Sequence, residues 1–205
     1  MKSFESQSQS EELEEMELDF RESKFKVKKI NKMDSPKFID LKFHTGSINS
    51  IAFANNSKYY LVSGGADKTV MIWKILLNEA NFSSQKSRML TSLSDITDIV
   101  ISKNDEYIFT ACVDNFIYVY KSNFIQNQYT TISNINIHSN IITSIHLDPA
   151  QAFYSQSIKF ASYSDEGRLI LAELSIAEMK ANITRDFTEI INKKNKINSI
   201  QKKIG

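Results

Sequence analysis

The chain has 205 residues, 41% of them hydrophobic, and a formal charge of +1. This is enough apolar material for one ordinary domain core, and the near-neutral balance gives no global signature for nucleic acid or an anionic membrane. One cysteine, Cys112, excludes an internal disulfide framework and a cysteine-built metal site. No apolar run is long enough to cross a bilayer and no signal-peptide core opens the chain, so a cytoplasmic or nuclear protein is the expectation.

Residues 1–23 read as a disordered acidic tail. Glu11, Glu12, Glu14, Glu15, Glu17 and Asp19 repel one another and bury little. Residues 24–36 form a basic linker or edge strand, with Phe25 and Val27 alternating with lysines.

From residue 37 the apolar period becomes two. Ile39, Leu41 and Phe43 alternate with Asp40 and Lys42. Further strands are predicted over 48–54, 60–63 and 70–75, joined by turns at 44–47, 55–57 and 64–68. The same order recurs over 96–101, 107–113 and 116–120, and again over 141–147, 159–163 and 169–174. Thr110 follows Ser63 by 47 residues, and Ser162 follows Thr110 by 52. A period of this size points to repeated four-stranded blades. The intervals 76–86 and 122–128 read as extended loops and as candidate contact sites.

Residues 175–205 change character. Ser175 and Glu178 have capping-box spacing, and Ile176, Met179, Ile183, Phe187 and Ile190 follow at steps of three and four. An amphipathic helix with a frayed basic end is predicted. The fourth strand of the third blade is not apparent.

The segment 44–74 resembles a WD40 (beta-transducin-like) repeat. Its landmarks are His44 before the first strand, Ser63 in the second, Asp67 in the next turn and Trp73 ending the third, with Lys74 where aspartate is usual. Degenerate matches cover 94–121 and 138–174. In the second, Thr110, Asp114 and Tyr120 stand for hydroxyl, aspartate and tryptophan, and no histidine precedes Ile96. In the third, His138 and Ser162 are in place, Glu166 stands for aspartate and Ala172 for tryptophan.

The resemblance implies an all-β fold over 37–174: a partial WD40 β-propeller of about three four-stranded antiparallel blades, followed by the helix. Propellers close with four to eight blades. Three blades leave open ends, to be met by a larger propeller, by self-association or by a protein partner.

The resemblance also implies that His44, Ser63, Asp67 and Trp73 form a structural hydrogen-bonded tetrad. Ser63, His44 and Asp67 invite comparison with a catalytic triad, but a mid-strand serine lacks the exposed oxygen a nucleophile needs. His138 and His146 are not joined by a Cys or carboxylate cluster, so no metal or cofactor is expected. Gly64-Gly65 lacks the ending of a phosphate loop. Cys112, in an apolar strand, reads as a small buried hydrophobe. The function implied is a non-catalytic scaffold for protein–protein interaction. The alternative is a subunit of a ribonucleoprotein or other nucleic-acid complex, using lysines in 24–32 and 193–203.

Overall fold

The alternating runs of β-branched and aromatic residues between short polar turns form twelve strands in the computed structural model, which describes residues 40–57, 59–77 and 82–187. β1 (Ile48–Phe53), β2 (Tyr60–Gly65), β3 (Thr69–Leu77) and β4 (Phe82–Thr91) make the first sheet. The second comprises β5 (Ile96–Ile101), β6 (Tyr107–Cys112), β7 (Phe116–Asn123) and β8 (Gln128–Asn136). The third comprises β9 (Ile142–Leu147), β10 (Ser157–Ser164), β11 (Leu169–Ser175) and β12 (Lys180–Asp186). Each is an antiparallel meander in chain order, a blade.

The blades stack in sequence. β1 lies against β5, and β5 against β9, so the first strand of each blade is innermost. Tyr60, Val62, Val70 and Ile72 of the first blade pack on Ile99, Ile108, Tyr118 and Tyr120 of the second. Tyr107, Phe109, Ile117 and Val119 on the other face of the second blade pack on Ile145, Phe160 and Ile170 of the third. Alternation along a strand sends successive side chains to opposite faces. β2 and β6 are therefore buried at every position, whereas β10 alternates buried and accessible residues.

Three expectations are corrected. First, the segment predicted as helix from Ile176 is a turn followed by β12, the fourth strand of the third blade. Ser175 Oγ does accept from the Glu178 backbone N–H at 3.4 Å, but the turn it closes passes through Met179 at φ 52° and reverses the chain. β11 would otherwise end the sheet with unpaired backbone groups. Lys180–Asp186 satisfies them along most of its length, from Ser175↔Lys180 to Ile170↔Asp186. Of the apolar stripe, Ile176 packs against the core while Ile183 is 46% exposed.

Second, the described part of 76–86 is strand rather than loop: β3 and β4 pair out to Leu77↔Phe82, and residues 78–81 lie outside the described residues. The 122–128 interval is likewise a tight turn between β7 and β8, with Phe124 buried in it against Tyr60. Third, residues 40–43 form no strand, although Leu41 and Phe43 lie against Trp73. The expectations for 1–39 and for 188–205 lie outside the described residues.

Candidate functional site

Antiparallel register first brings the landmark residues together. Leu61 pairs with Trp73 and Ser63 with Met71, so Trp73 and Ser63 share one face of the first blade. Gly65 pairs with Ile48 and lets the 44–47 turn lie flat against β2: a Cβ there would sit 2.0 Å from the Ser47 carbonyl oxygen. This close approach lowers His44 onto the sheet.

The result is a continuous hydrogen-bonded chain. Trp73 Nε1–H donates to Ser63 Oγ at 2.8 Å, and Ser63 Oγ lies 2.8 Å from His44 Nε2. His44 Nδ1 lies 2.9 and 3.0 Å from the two Asp67 oxygens. The indole can only donate, so the serine proton points to Nε2, and the imidazole carries its own proton on Nδ1 toward the aspartate. Asp67 further accepts from the Thr45 backbone N–H and the Thr69 hydroxyl at 2.9 and 2.7 Å. Burial pushes its carboxyl up. The hydrogen bonds from Thr69, Thr45 and His44 outweigh that and hold it at about 2.

The second blade solves the same problem differently. Ser92 occupies the place of the missing histidine, four residues before Ile96. Tyr118, pairing with Thr110 as Met71 pairs with Ser63, donates its phenol to Asp114 at 2.7 Å. Burial first, then the Asp114 carboxylate, pushes the Tyr118 phenol well above its usual range. Tyr120, at the Trp73 position, is buried beside the Thr110 and Ser92 hydroxyls. Sequence reasoning missed Tyr118. The signal was the absent histidine together with a tyrosine where the first blade has Met71.

In the third blade His138 Nε2 lies 2.7 Å from Ser162 Oγ, but Glu166 does not reach the ring. Glu166 instead accepts from Ser139 Oγ at 2.9 and 3.0 Å at the surface, which lowers its pKa. One more methylene than aspartate carries its carboxylate past the imidazole. His138 Nδ1 is buried without a partner, and burial followed by the Arg168 charge lowers its pKa. Ala172 supplies no donor at the Trp73 position.

A second class of residue, also missed by sequence reasoning, joins blade to blade. Asp105 is 4% exposed and its carboxylate accepts backbone N–H groups of the first blade: Asn55 at 2.7 Å, Asn56 at 2.7 Å and Ser57 at 2.5 Å. Asn55 Nδ2 returns a bond to the Ser102 carbonyl at 3.0 Å. At the inner strands, Asn49 Nδ2 donates to the Ile96 carbonyl at 2.7 Å, and Ser50 Oγ donates to Asp98 at 2.8 Å while accepting from Ile99 N–H at 3.0 Å. A polar residue in a turn looks like any solvated one; only the neighbouring blade shows its purpose.

Cys112 is fully buried and its thiol is pushed up to about 11 by burial. Among the described residues no group of three His, Cys, Asp or Glu side chains is placed to hold a metal ion, and no helix is long and apolar enough to cross a membrane.

Repeated four-stranded meanders, stacked with their first strands innermost and pinned by a histidine–hydroxyl–tryptophan network, define a repeat protein of the β-propeller class. The family described as "WD domain, G-beta repeat" matches residues 36–74 and 84–121. Those two segments of the chain match WD40 repeats. The chain is 31% identical over 118 residues to the U5 small nuclear ribonucleoprotein 40 kDa protein of Dictyostelium discoideum, covering 58% of this chain and 30% of that protein. It is 26% identical over 137 residues to human DDB1- and CUL4-associated factor 5, covering 66% of this chain and 13% of that protein. It is 30% identical over 74 residues to small ribosomal subunit protein RACK1 of Neurospora crassa, covering 36% and 23%. The crystal structure of Saccharomyces cerevisiae Sqt1 shares the fold, with a TM-score of 0.56 at 15% identity, covering 70% of this chain and 36% of that one. The chain thus spans about a third or less of the proteins it matches.

Proposed function

We propose that this chain is a non-catalytic scaffold that holds protein partners within a larger assembly in the cytoplasm or nucleus. One observation carries the reading. Ser63, His44 and Asp67 have the order of a hydrolytic triad, yet Ser63 is 3% exposed and its hydroxyl is engaged on both sides, by the indole and by the imidazole. A nucleophile needs an accessible oxygen beside an oxyanion hole. Here the group ties the 44–47 turn to β2 and β3, and the chemistry is that of a fastener.

The names of the similar proteins support the same reading: a ribonucleoprotein component, a protein associated with DDB1 and CUL4, and a ribosomal subunit protein. Each is named for membership in an assembly.

The test is a comparison of wild-type protein with Ser63→Ala. Under the scaffold reading the variant melts at lower temperature, and a fluorophosphonate probe leaves Ser63 of the native wild type unlabelled. Stoichiometric labelling of native Ser63, with melting unchanged by the substitution, would overturn it.

A further inference from the structure

The two junctions between blades are alike at their inner strands. Asn49 and Thr97 each sit where the register of β1 or β5 slips, and a bulge re-aims its side chain. Asn49 donates to the Ile96 carbonyl of the second blade, and Thr97 Oγ1 donates to the Ile142 carbonyl of the third. Ser50 Oγ accepts from Ile99 N–H, and Asp98 Oδ2 accepts from Ile145 N–H, both at 3.0 Å.

At the turns that join the first and second strands of each blade, the junctions differ. Asn55 and Asn56 follow Ala54, whose N–H donates to the Tyr60 carbonyl. Lys103 and Asn104 hold the same places after Ser102, whose N–H donates to the Tyr107 carbonyl. The Asn55 and Asn56 N–H groups reach across to the second blade, and both end on the Asp105 carboxylate at 2.7 Å. Consecutive backbone N–H groups held in a turn make a concavity for an anion, and at this junction the chain supplies the anion itself.

The second blade presents the equivalent pair, Lys103 and Asn104, toward the third. Among the described residues no acceptor lies on either N–H. Gln151 stands four residues after β9, as Asp105 stands four residues after β5. Its amide is spent within its own loop: Oε1 accepts from Lys159 N–H at 3.0 Å and Nε2 donates to the Ser157 carbonyl at 2.8 Å. A narrow cleft lies between turn and loop, with Lys103 and Asn104 on one side, Gln151 and Phe153 on the other, and Tyr107 and Ile158 among its apolar lining. Its volume is about 20 Å³, room for a water-sized group and so for the tip of a carboxylate, but not for a ring. Lys103 is the one cation of the lining. The one carboxylate, Asp148, is turned to the Ala150 N–H at 2.9 Å in its own turn.

Beside the cleft the 148–156 loop, longer than 54–59 and 102–106, carries two aromatic rings. Phe153 and Tyr154 meet edge-on at 4.9 Å and are 38% and 85% exposed. Adjacent exposed rings next to an anion cradle suit a partner that brings an apolar and an acidic residue together. The cleft lies between the second and third blades, both described on the sides that face each other, so it does not depend on what adjoins the outer faces of the arc.

We propose that this cleft receives the carboxylate of a glutamate or aspartate from an acidic, partly apolar peptide segment of a protein partner. The carboxylate takes the Lys103 and Asn104 N–H groups as the Asp105 carboxylate takes those of Asn55 and Asn56. The Lys103 ammonium adds its charge, and an apolar residue beside the acid lies on Phe153 and Tyr154. This site rests on the scaffold reading and gives it a partner of definite chemistry.

Amide resonances of the uniformly 15N-labelled full chain test it. The probes are capped pentapeptides with a central glutamate or aspartate between leucines, and their glutamine counterpart. The expected result is a downfield shift of the Lys103 and Asn104 amide protons with the acidic peptides and about ten-fold weaker binding of the glutamine peptide. Lys103→Glu and Phe153→Ser should each bind the acidic peptides several-fold less, while the Asn55 and Asn56 amides, held by Asp105, report that the variants keep their fold. Equal affinity for the glutamate and glutamine peptides would overturn the carboxylate cradle. Shifts confined to other turns, or none at Lys103 and Asn104 with either acidic peptide up to its solubility limit, would overturn the site. Fluorophosphonate treatment of the same preparation decides the scaffold reading separately: an unlabelled Ser63 with no peptide binding loses the cleft and keeps the scaffold.

Discussion

Replacing Asp105 gives the sharpest test of how the first two blades are coupled. Its carboxylate accepts three backbone N–H groups from the 55–57 turn, and its own φ is 62°. A hydrogen bond to a charged group contributes roughly 1.5–3 kcal/mol net when buried. Asn55 and Asn56 are solvent-accessible residues, so water recovers part of that on loss of the carboxylate. Asp105→Ala should therefore cost about 3–4 kcal/mol, of which about 1 kcal/mol is strain from placing alanine in the left-handed region. Asparagine tolerates that conformation and keeps one acceptor, so Asp105→Asn should cost about half as much. At this chain length 1 kcal/mol moves Tm by about 2–4 °C. The alanine variant should then melt roughly 6–16 °C lower, and the asparagine variant roughly 3–8 °C lower. The chain has one tryptophan, Trp73, in the first blade. Its fluorescence and the far-ultraviolet circular dichroism should coincide in the wild type and separate in Asp105→Ala, the fluorescence moving first. An asparagine variant that melts with the wild type, or an alanine variant no worse than Glu106→Ala, would refute the assignment of Asp105 as an inter-blade anchor.

Other substitutions test the networks within blades. Ser63→Ala strands the indole N–H and His44 Nε2 in a buried place and should cost about 2–3 kcal/mol by urea denaturation, whereas Trp73→Phe removes the donor as well as the bond and should cost less per lost contact. Tyr118→Phe leaves one Asp114 oxygen without its phenol and should cost about 1–2 kcal/mol; an unchanged midpoint would show that the phenol is no substitute for histidine. Asp67 titrates at about 2 when folded against 3.8 unfolded, so its contribution is fully present above the unfolded value and is lost as pH falls through the folded one. About 2 kcal/mol of stability should disappear between pH 5 and pH 1, and Asp67→Asn should flatten that part of the stability–pH curve.

Strand positions in the first three strands of every blade were legible because their faces bury alternating residues against a neighbour: Val62, Val70 and Ile72 are wholly buried. The outer strands were not. β12 has the accessibility pattern of an edge, with only Ala181 less than exposed, so no periodicity marks it, and the helical stripe over 176–190 filled the gap. Local spacing favours a helix there, and the open ladder of β11 decides for a strand. The histidine network of the first blade was legible because each member has a distinctive chemical type. The second was half legible, since Tyr118 reaches Asp114 from a place the pattern reserves for an apolar residue. Glu166 shows the opposite case: the charge is conserved in type between Asp67 and Glu166 within the chain, but the extra methylene sends it to Ser139.

Two kinds of polar contact therefore divide the work in this fold. Apolar packing between blades is tolerant, because Tyr60, Phe109 and Ile72 fill space and specify little about sliding along the strand direction. A bulge side chain that must find one carbonyl, and a carboxylate that must find three N–H groups, admit a single register. The networks of His44, Tyr118 and His138 fix each blade internally; Asn49, Thr97, Asp98 and Asp105 fix one blade on the next. Degeneration of the first kind, as in the third blade where His138 Nδ1 is left alone, weakens one blade without disturbing the order of the stack. Loss of the second kind leaves each blade intact and frees it to move against its neighbour, which is why separation of the Trp73 signal from the whole-chain transition is expected for Asp105→Ala and not for Ser63→Ala.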